Sequence, residues 1–138
     1  MTNVRNLKRA GFRPFALIAI TALTAAQSRV WVVGPNANGM AEFSEIQAAV
    51  DAAADGDTVL VQSGIYGGFS IVNKGVSVVA DSNLVIVSGG VDVHFLAPGQ
   101  FVVLRGLSIR NPKSDPVQIY KNAGWVWFDI YQSKSAWQ

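Results

Sequence analysis

Several features that would narrow the function are missing from this sequence. It has no cysteine, so neither disulfide bonds nor thiolate metal sites are available to it. It has no glycine-rich phosphate loop and no nucleophile elbow. Its acidic residues are scattered and form no compact group of oxygen ligands, so we expect neither a metal site nor a cofactor. The acidic residues considered are Asp81, Asp92, Asp115 and Asp129.

An apolar run long enough to cross a membrane is also missing. The longest run, residues 15–26, has 12 residues, whereas a spanning helix needs about 20. A basic stretch without acidic residues, residues 5–13, precedes this run, and small residues end it. This arrangement is typical of a secretory signal. We therefore expect residues 1–26 to be a signal peptide, with an uncleaved anchor as the alternative, and the protein to be secreted, periplasmic or at the cell surface.

Removal of residues 1–26 changes the charge of the chain. The segment contains four positive charges and no negative one, so its loss takes the formal net charge from +2 to −2. No basic footprint for nucleic acid then remains, and we expect no nucleic-acid partner and no membrane contact after cleavage. Residues 27–138 are enough for one small domain with one core.

One amphipathic helix is predicted, at about residues 44–55. Ser44 and Gln47 have the spacing of a capping box. An apolar stripe at i, i+3, i+4 and i+7 follows, and Gly56 is placed to end the helix in a left-handed conformation. The stripe consists of Ile46, Ala49, Val50 and Ala53.

Short strands are predicted on both sides of this helix. Residues 31–33 precede it, and after Gly56 the pattern changes to period two, with the Gly-rich stretch 64–68 read as a turn. Each segment is bounded by Gly, Asn, Asp, Ser or Pro, as strands are. So many short strands favour a sandwich, a barrel or a solenoid. The later strands are predicted at 59–61, 69–72, 76–79, 84–87, 91–95, 101–104, 107–109, 117–120 and 126–130.

The spacing of these strands favours a solenoid. Val93 recurs as Ile119, and Leu104 recurs as Phe128, at spacings of about 24 to 26 residues. A solenoid returns to the same place about every 20 residues, whereas a sandwich requires no such recurrence. We therefore expect a coil of three strands over residues 58–131. Further pairs with similar spacing are Val102 with Val126, Leu107 with Ile130, and Leu84 with Leu107.

Two segments carry a resemblance to a known family. The segment "IQAAVDAAADGDTVLVQSGIYGGF" and the later "FVVLRGLSIRN" resemble the N-terminal part of the pectin-lyase-like superfamily. The resemblance covers about residues 31–131 and implies an all-β, right-handed parallel β-helix whose open end is capped by one α-helix. It does not imply one function, since lyases, hydrolases, esterases, epimerases and adhesins share the fold.

The chain departs from the enzymes of that superfamily. By resemblance, those enzymes place paired or triple Asp, or Asp with Arg, several coils beyond the capping helix, whereas this chain has about three coils after it. The catalytic residues are therefore unknown, and whether the protein is an enzyme stays open. An enzymatic activity, if present, would be of the polysaccharide lyase or glycoside hydrolase type.

The strand VDVHF and its neighbour VQIY contribute the first candidate site. Alternation turns Val91, Val93 and Phe95 inward in the first strand, and Val117 and Ile119 inward in the second. Asp92 then lies outside beneath Gln118, and His94 lies outside beneath Tyr120. Asp92 is a candidate acid, base or ligand, and His94 a candidate proton shuttle. The alternative is that these polar residues only face water.

The segment WVWFDIY contributes the second candidate site. Alternation turns Val126, Phe128 and Ile130 toward the core and places Asp129 above Arg105, where an ion pair is expected. Trp125 and Trp127 face outward, and their flat apolar rings suit stacking on sugars. The alternative is that later coils or a loop cover them.

These observations leave three hypotheses for the function. The first is an exported module that binds polysaccharide, or processes it as part of a longer parent, through Asp92, His94, Tyr120, Trp125 and Trp127. The second is a structural or adhesive surface module that self-associates through its open C-terminal coil. The third is a truncated fragment without activity.

Overall fold

A computed structural model describes residues 26–35, 39–110 and 115–132 of the chain. Except for residue 26, the predicted signal peptide lies outside these ranges. They contain one helix, which is too short to cross a membrane, and eight strands. The elements are β1 (Val30–Val33), α1 (Ile46–Ala52), β2 (Thr58–Val61), β3 (Gly64–Val72), β4 (Ser77–Ala80), β5 (Val85–His94), β6 (Phe101–Arg110), β7 (Val117–Tyr120) and β8 (Trp125–Gln132).

The strands form one curled sheet in which every strand pairing is parallel. The pairings make three ladders. Ladder A contains β1, β2, β4 and the first parts of β6 and β8. Ladder B contains the first parts of β3 and β5 and the last parts of β6 and β8. Ladder C contains the last parts of β3 and β5, followed by β7. The chain is thus all-β apart from α1.

The register confirms most of the predicted pairs. Val93 pairs with Ile119, and Leu104 pairs with Phe128. The sequence step, which is the number of residues from one paired position to its partner, varies more than predicted. It is longest from β1 to β2, where Trp31 pairs with Val59, and shortest from β2 to β4, where Val59 pairs with Val78.

The predicted pair of Leu84 with Leu107 is wrong. β5 and β6 pair Ile86 with Ser108 and Val87 with Ile109, a register that is out of step with the predicted pair by one position. Leu84 lies in the turn before β5 with 65% of its surface exposed.

Three predicted breaks in the strands do not occur. The Gly-rich stretch predicted as a turn is the first part of β3, while segments 84–87 and 91–95 join in β5, and 101–104 and 107–109 join in β6. Each long strand changes ladder without ending, because the register shifts at a bulge, between Gly67 and Phe69 in β3 and between Arg105 and Ser108 in β6.

The helix is shorter than predicted, and its ends differ. Glu45 is the N-cap residue and makes no side-chain cap, so the predicted capping box of Ser44 and Gln47 is wrong. The Gln47 amide instead accepts a hydrogen bond from the Ser70 N–H (2.8 Å) and donates one to the Ser70 carbonyl (3.1 Å). These two bonds fasten α1 to the edge strand β3. Gly56 has a φ of 88°, but it lies in the turn before β2 and not at the end of the helix.

The core lies between the three ladders and α1. It consists mainly of valine, isoleucine and leucine side chains, and the helix contributes Ile46, Ala49 and Val50. Burial decreases toward β7 and β8. Ile119 and Phe128 are each 46% exposed, although their partners Val93 and Leu104 are fully buried. The described part of the chain places no strand beyond β7 and β8, so one side of these inward-facing residues is uncovered.

Asp57 is the buried charged residue of the described core. Its carboxylate accepts hydrogen bonds from the N–H groups of Arg29 (2.8 Å) and Ala54 (2.9 Å) and from Nε1 of Trp31 (3.0 Å). These donors, led by the Arg29 N–H, lower the pKa of Asp57 below its usual 3.8. The carboxylate therefore joins β1 to the segment that follows α1.

Candidate functional site

The outer surface of ladder C contains two columns of side chains. Asp92 lies between Ser70 and Gln118, and His94 lies between Val72 and Tyr120. The predicted neighbours are therefore correct for both residues. The rings of His94 and Tyr120 stack, with centroids 4.8 Å apart and an interplanar angle of 11°.

Hydrogen bonding on this surface connects neighbouring side chains of β7. The Tyr120 hydroxyl donates a hydrogen bond to Oε1 of Gln118. The carboxylate of the half-buried Asp92 has no hydrogen-bond or ion-pair partner among the described residues. The same residues include no group of three or more His, Asp or Glu placed to hold a metal ion.

Phe95 does not face the core, so the predicted inward orientation of its side chain is wrong. β5 ends at His94, and Phe95 adopts a left-handed conformation with a φ of 55°. Its side chain is 53% exposed, and Leu96 is buried instead. A bulky residue in this conformation is strained. The strain lies beside the stacked His94 ring.

The left-handed conformation recurs where each strand of ladder C ends. Asn73, which follows β3, has a φ of 48°, and Lys121, which follows β7, has a φ of 46°. The turns from ladder C to ladder A therefore lie above one another, and we call them the corner. Nζ of Lys121 lies 5.8 Å from the centroid of the Phe95 ring.

The outer surface of ladder A contains both candidate tryptophans. Trp125 is the partner of Phe101, and Trp127 is the partner of Val103. Trp125, Trp127 and Phe101 are 73%, 48% and 51% exposed. Partners in parallel strands lie about 4.8 Å apart and point to the same face. We call these three residues the aromatic strip.

Arg105 and Asp129 are partners in register, as predicted. Both side chains are exposed, and no ion pair within 4.0 Å joins them. An exposed pair gains little from a fixed geometry, since water screens the charges and the long side chain loses entropy. The expected ion pair is therefore absent between these two residues.

A half-open cleft of about 200 Å³ lies at the corner, next to the aromatic strip. Phe101 belongs both to its lining and to the strip. The Asp55 carboxylate accepts hydrogen bonds from the Gly75 N–H (2.6 Å) and from Nε2 of Gln100 (3.2 Å). The remaining lining residues are Gly56 and Gly99.

Gln100 holds the cleft together through its side-chain amide. Its Nε2 reaches both Asp55 oxygens and the Asn73 carbonyl (3.1 Å), and its Oε1 accepts the Ala97 N–H (2.8 Å). Sequence reasoning missed this cleft. Asp55 and Gln100 are far apart in the sequence, and they meet because the turn between α1 and β2, which contains Asp55, lies against the corner turns.

The five predicted site residues fall into two groups. Asp92, His94 and Tyr120 lie together on ladder C, whereas Trp125 and Trp127 lie on ladder A, on the other side of the corner. The cleft with Asp55 and Gln100 is placed at the corner between them. Comparison of the chain with protein-family models, with curated proteins and with solved structures found no match.

Proposed function

We propose that this chain is part of an exported right-handed parallel β-helix of the pectin-lyase-like kind that binds polysaccharide on its outer surface. Parallel pairing throughout, three ladders and the short sequence steps between partners support the β-helix. The position of α1 against the edge strand β3 supports the capped end. Export rests on the predicted signal at residues 1–26.

The observation that carries polysaccharide binding is the aromatic strip beside the corner cleft. Phe101, Trp125 and Trp127 expose flat apolar rings in adjacent strands, and such rings pack against the apolar faces of sugars. The cleft next to them contains the carboxylate of Asp55, whose oxygens can accept hydrogen bonds from sugar hydroxyl groups. A few polar groups in a mostly apolar recess are typical of ligand sites.

The binding proposal is tested by removing the tryptophans. We expect Trp125→Ala and Trp127→Ala each to weaken binding to soluble glycans at least about tenfold, because stacking area is lost. Affinity electrophoresis against a panel of neutral, acidic and amino polysaccharides measures this. Tyr131→Ala is the matched control, since Tyr131 is an exposed aromatic residue of the same strand but lies on ladder B. The proposal fails if the unmodified chain binds no glycan of the panel.

A second candidate function is self-association through β7 and β8. Ile119 and Phe128 face the core but remain 46% exposed, and each of the two strands has a partner on one side only among the described residues. A second copy of the chain offers the matching strand edge and apolar surface. Sedimentation velocity at increasing concentration tests this. Phe128→Lys should abolish any dimer, whereas Tyr131→Lys, on the outer surface, should not.

A further inference from the structure

We infer that the corner cleft selects an amino sugar with a free ammonium group and disfavours uronic acids. This inference rests on the proposed polysaccharide binding and names the class of sugar that the site accepts. It depends on the charge, the aromatic wall and the size of the cleft.

The charge of the cleft comes from one carboxylate. Asp55 is exposed and lines the cleft, and its hydrogen bonds come from the uncharged donors Gly75 N–H and Gln100 Nε2. No lysine or arginine of the described ranges lines the cleft. A bound ammonium group therefore meets a carboxylate that no cation in the lining neutralises, whereas a uronate meets a like charge.

The two lysines of the described ranges, Lys74 and Lys121, have other contacts. Nζ of Lys74 is hydrogen-bonded to the carbonyl groups of Val50 (2.8 Å) and Asp51 (3.1 Å) at the end of α1. Nζ of Lys121 lies over the ring of Phe95. Neither ammonium group is placed among the residues that line the cleft, so neither offers a uronate a counter-charge there.

The aromatic side of the cleft, formed by Phe101 with Trp125 next to it, also favours a protonated amino sugar. Phe101 lines the cleft with a half-exposed ring, and Trp125 is its partner on the next strand. Aromatic faces attract cations as well as the apolar faces of sugar rings. A protonated amino sugar presents both of these groups at once.

The size of the cleft limits the ligand to about one ring. Its volume of about 200 Å³ is below the roughly 300 Å³ at which pockets for drug-sized molecules begin. The cleft therefore suits a single sugar residue, and further residues of a chain would lie on the aromatic strip.

The first test compares three ligands on the full unmodified chain by isothermal titration calorimetry at pH 6. They are a glucosamine hexamer, its N-acetylated form and a galacturonate hexamer. We expect the glucosamine hexamer to bind at least about tenfold more tightly than the other two, as a charge-assisted contact implies. Tighter binding of the galacturonate or equal binding of the N-acetylated hexamer would overturn the inference and leave polysaccharide binding intact. Binding of none of the three, nor of the wider glycan panel, would overturn both.

The second test removes the carboxylate. Asp55→Asn should weaken binding of the glucosamine hexamer at least about tenfold and leave binding of the N-acetylated hexamer nearly unchanged. Asp81→Asn is the matched control, because it removes one exposed carboxylate that is not part of the cleft. Since Asp55 also forms hydrogen bonds with Gly75 and Gln100, a thermal melt of each variant verifies that it is folded. The comparison of the three ligands uses the unmodified chain and so does not depend on the folding of any variant. Unchanged glucosamine affinity in a folded Asp55→Asn chain would contradict the inference.

Discussion

The ring of His94 lies parallel to the ring of Tyr120, 4.8 Å away, because the two residues are partners in adjacent strands of ladder C. His94 is the only histidine of the chain, so its imidazole C–H signals in an NMR spectrum are unambiguous. We expect the ring current of Tyr120 to shift these signals upfield. Tyr120→Leu should remove the shift, and Tyr120→Phe should retain it. An unchanged spectrum in Tyr120→Leu would show that the rings do not stack in solution.

The bulge between β3 and β5, where Gly68 faces Gly89 and Gly90, predicts different effects for two neighbouring glycines. A Cβ on Gly68 would lie 2.6 Å from the carbonyl oxygen of Gly90, whereas a Cβ on Gly67 would meet nothing within 4 Å. We therefore expect Gly68→Ala to lower the free energy of unfolding by about 1–3 kcal/mol. Gly67→Ala should leave it unchanged or raise it by up to about 1 kcal/mol. Urea unfolding measures both, and equal effects would contradict the observed bulge.

The contacts of Gln47 predict that this residue, and not Ser44, contributes to stability at the start of the helix. Gln47→Ala removes two hydrogen bonds to Ser70 and should lower the free energy of unfolding by about 1–3 kcal/mol. Ser44→Ala should change it by less than about 0.5 kcal/mol, since Ser44 makes no cap. Thermal melts of the two variants decide between the observed contacts and a capping box, for which Ser44→Ala would be the costly change.

The buried Asp57 predicts an acid-sensitive stability. Because its pKa is lowered in the folded chain, the ionised carboxylate stabilises the fold fully above the unfolded value of 3.8. This contribution is lost as the pH falls through the lower, folded value. Asp57→Asn should be less stable at pH 7 by about 1–3 kcal/mol. Its stability should also fall less steeply than that of the unmodified chain between pH 4 and pH 2, as urea midpoints at each pH would reveal.

Periodicity predicted the parts of the fold that depend on alternation and spacing. The pairs Asp92 with Gln118 and His94 with Tyr120 follow from a strand period of two and from the recurrence of a similar strand later in the sequence, and both are observed. Phe95 escaped this reasoning because an apolar residue after an alternating strand continues the pattern, whereas the chain turns there with a positive φ. No local signal marks such a turn at a phenylalanine.

The candidate site was likewise predicted from the sequence only in part. Alternation was sufficient to place Trp125 and Trp127 on an outer surface. Predicting the cleft would have required knowing how turns of different length lie relative to one another, because Asp55, Gly75 and Gln100 come from three separate turns. Their contacts depend on the corner as a whole and not on the pattern of any one segment.

The short steps between strand partners have a consequence for how the chain folds. No parallel pair joins residues further apart in the sequence than Trp31 and Val59, so no pairing requires the closure of a very long loop. A nucleus formed by α1, β2 and β3 can therefore grow by adding one strand at a time in the order of synthesis. Most added strands offer an edge to the strand that comes two positions later in order, as β2 does to β4 and β5 does to β7, and the N-terminal strands can be native before β8 has left the ribosome.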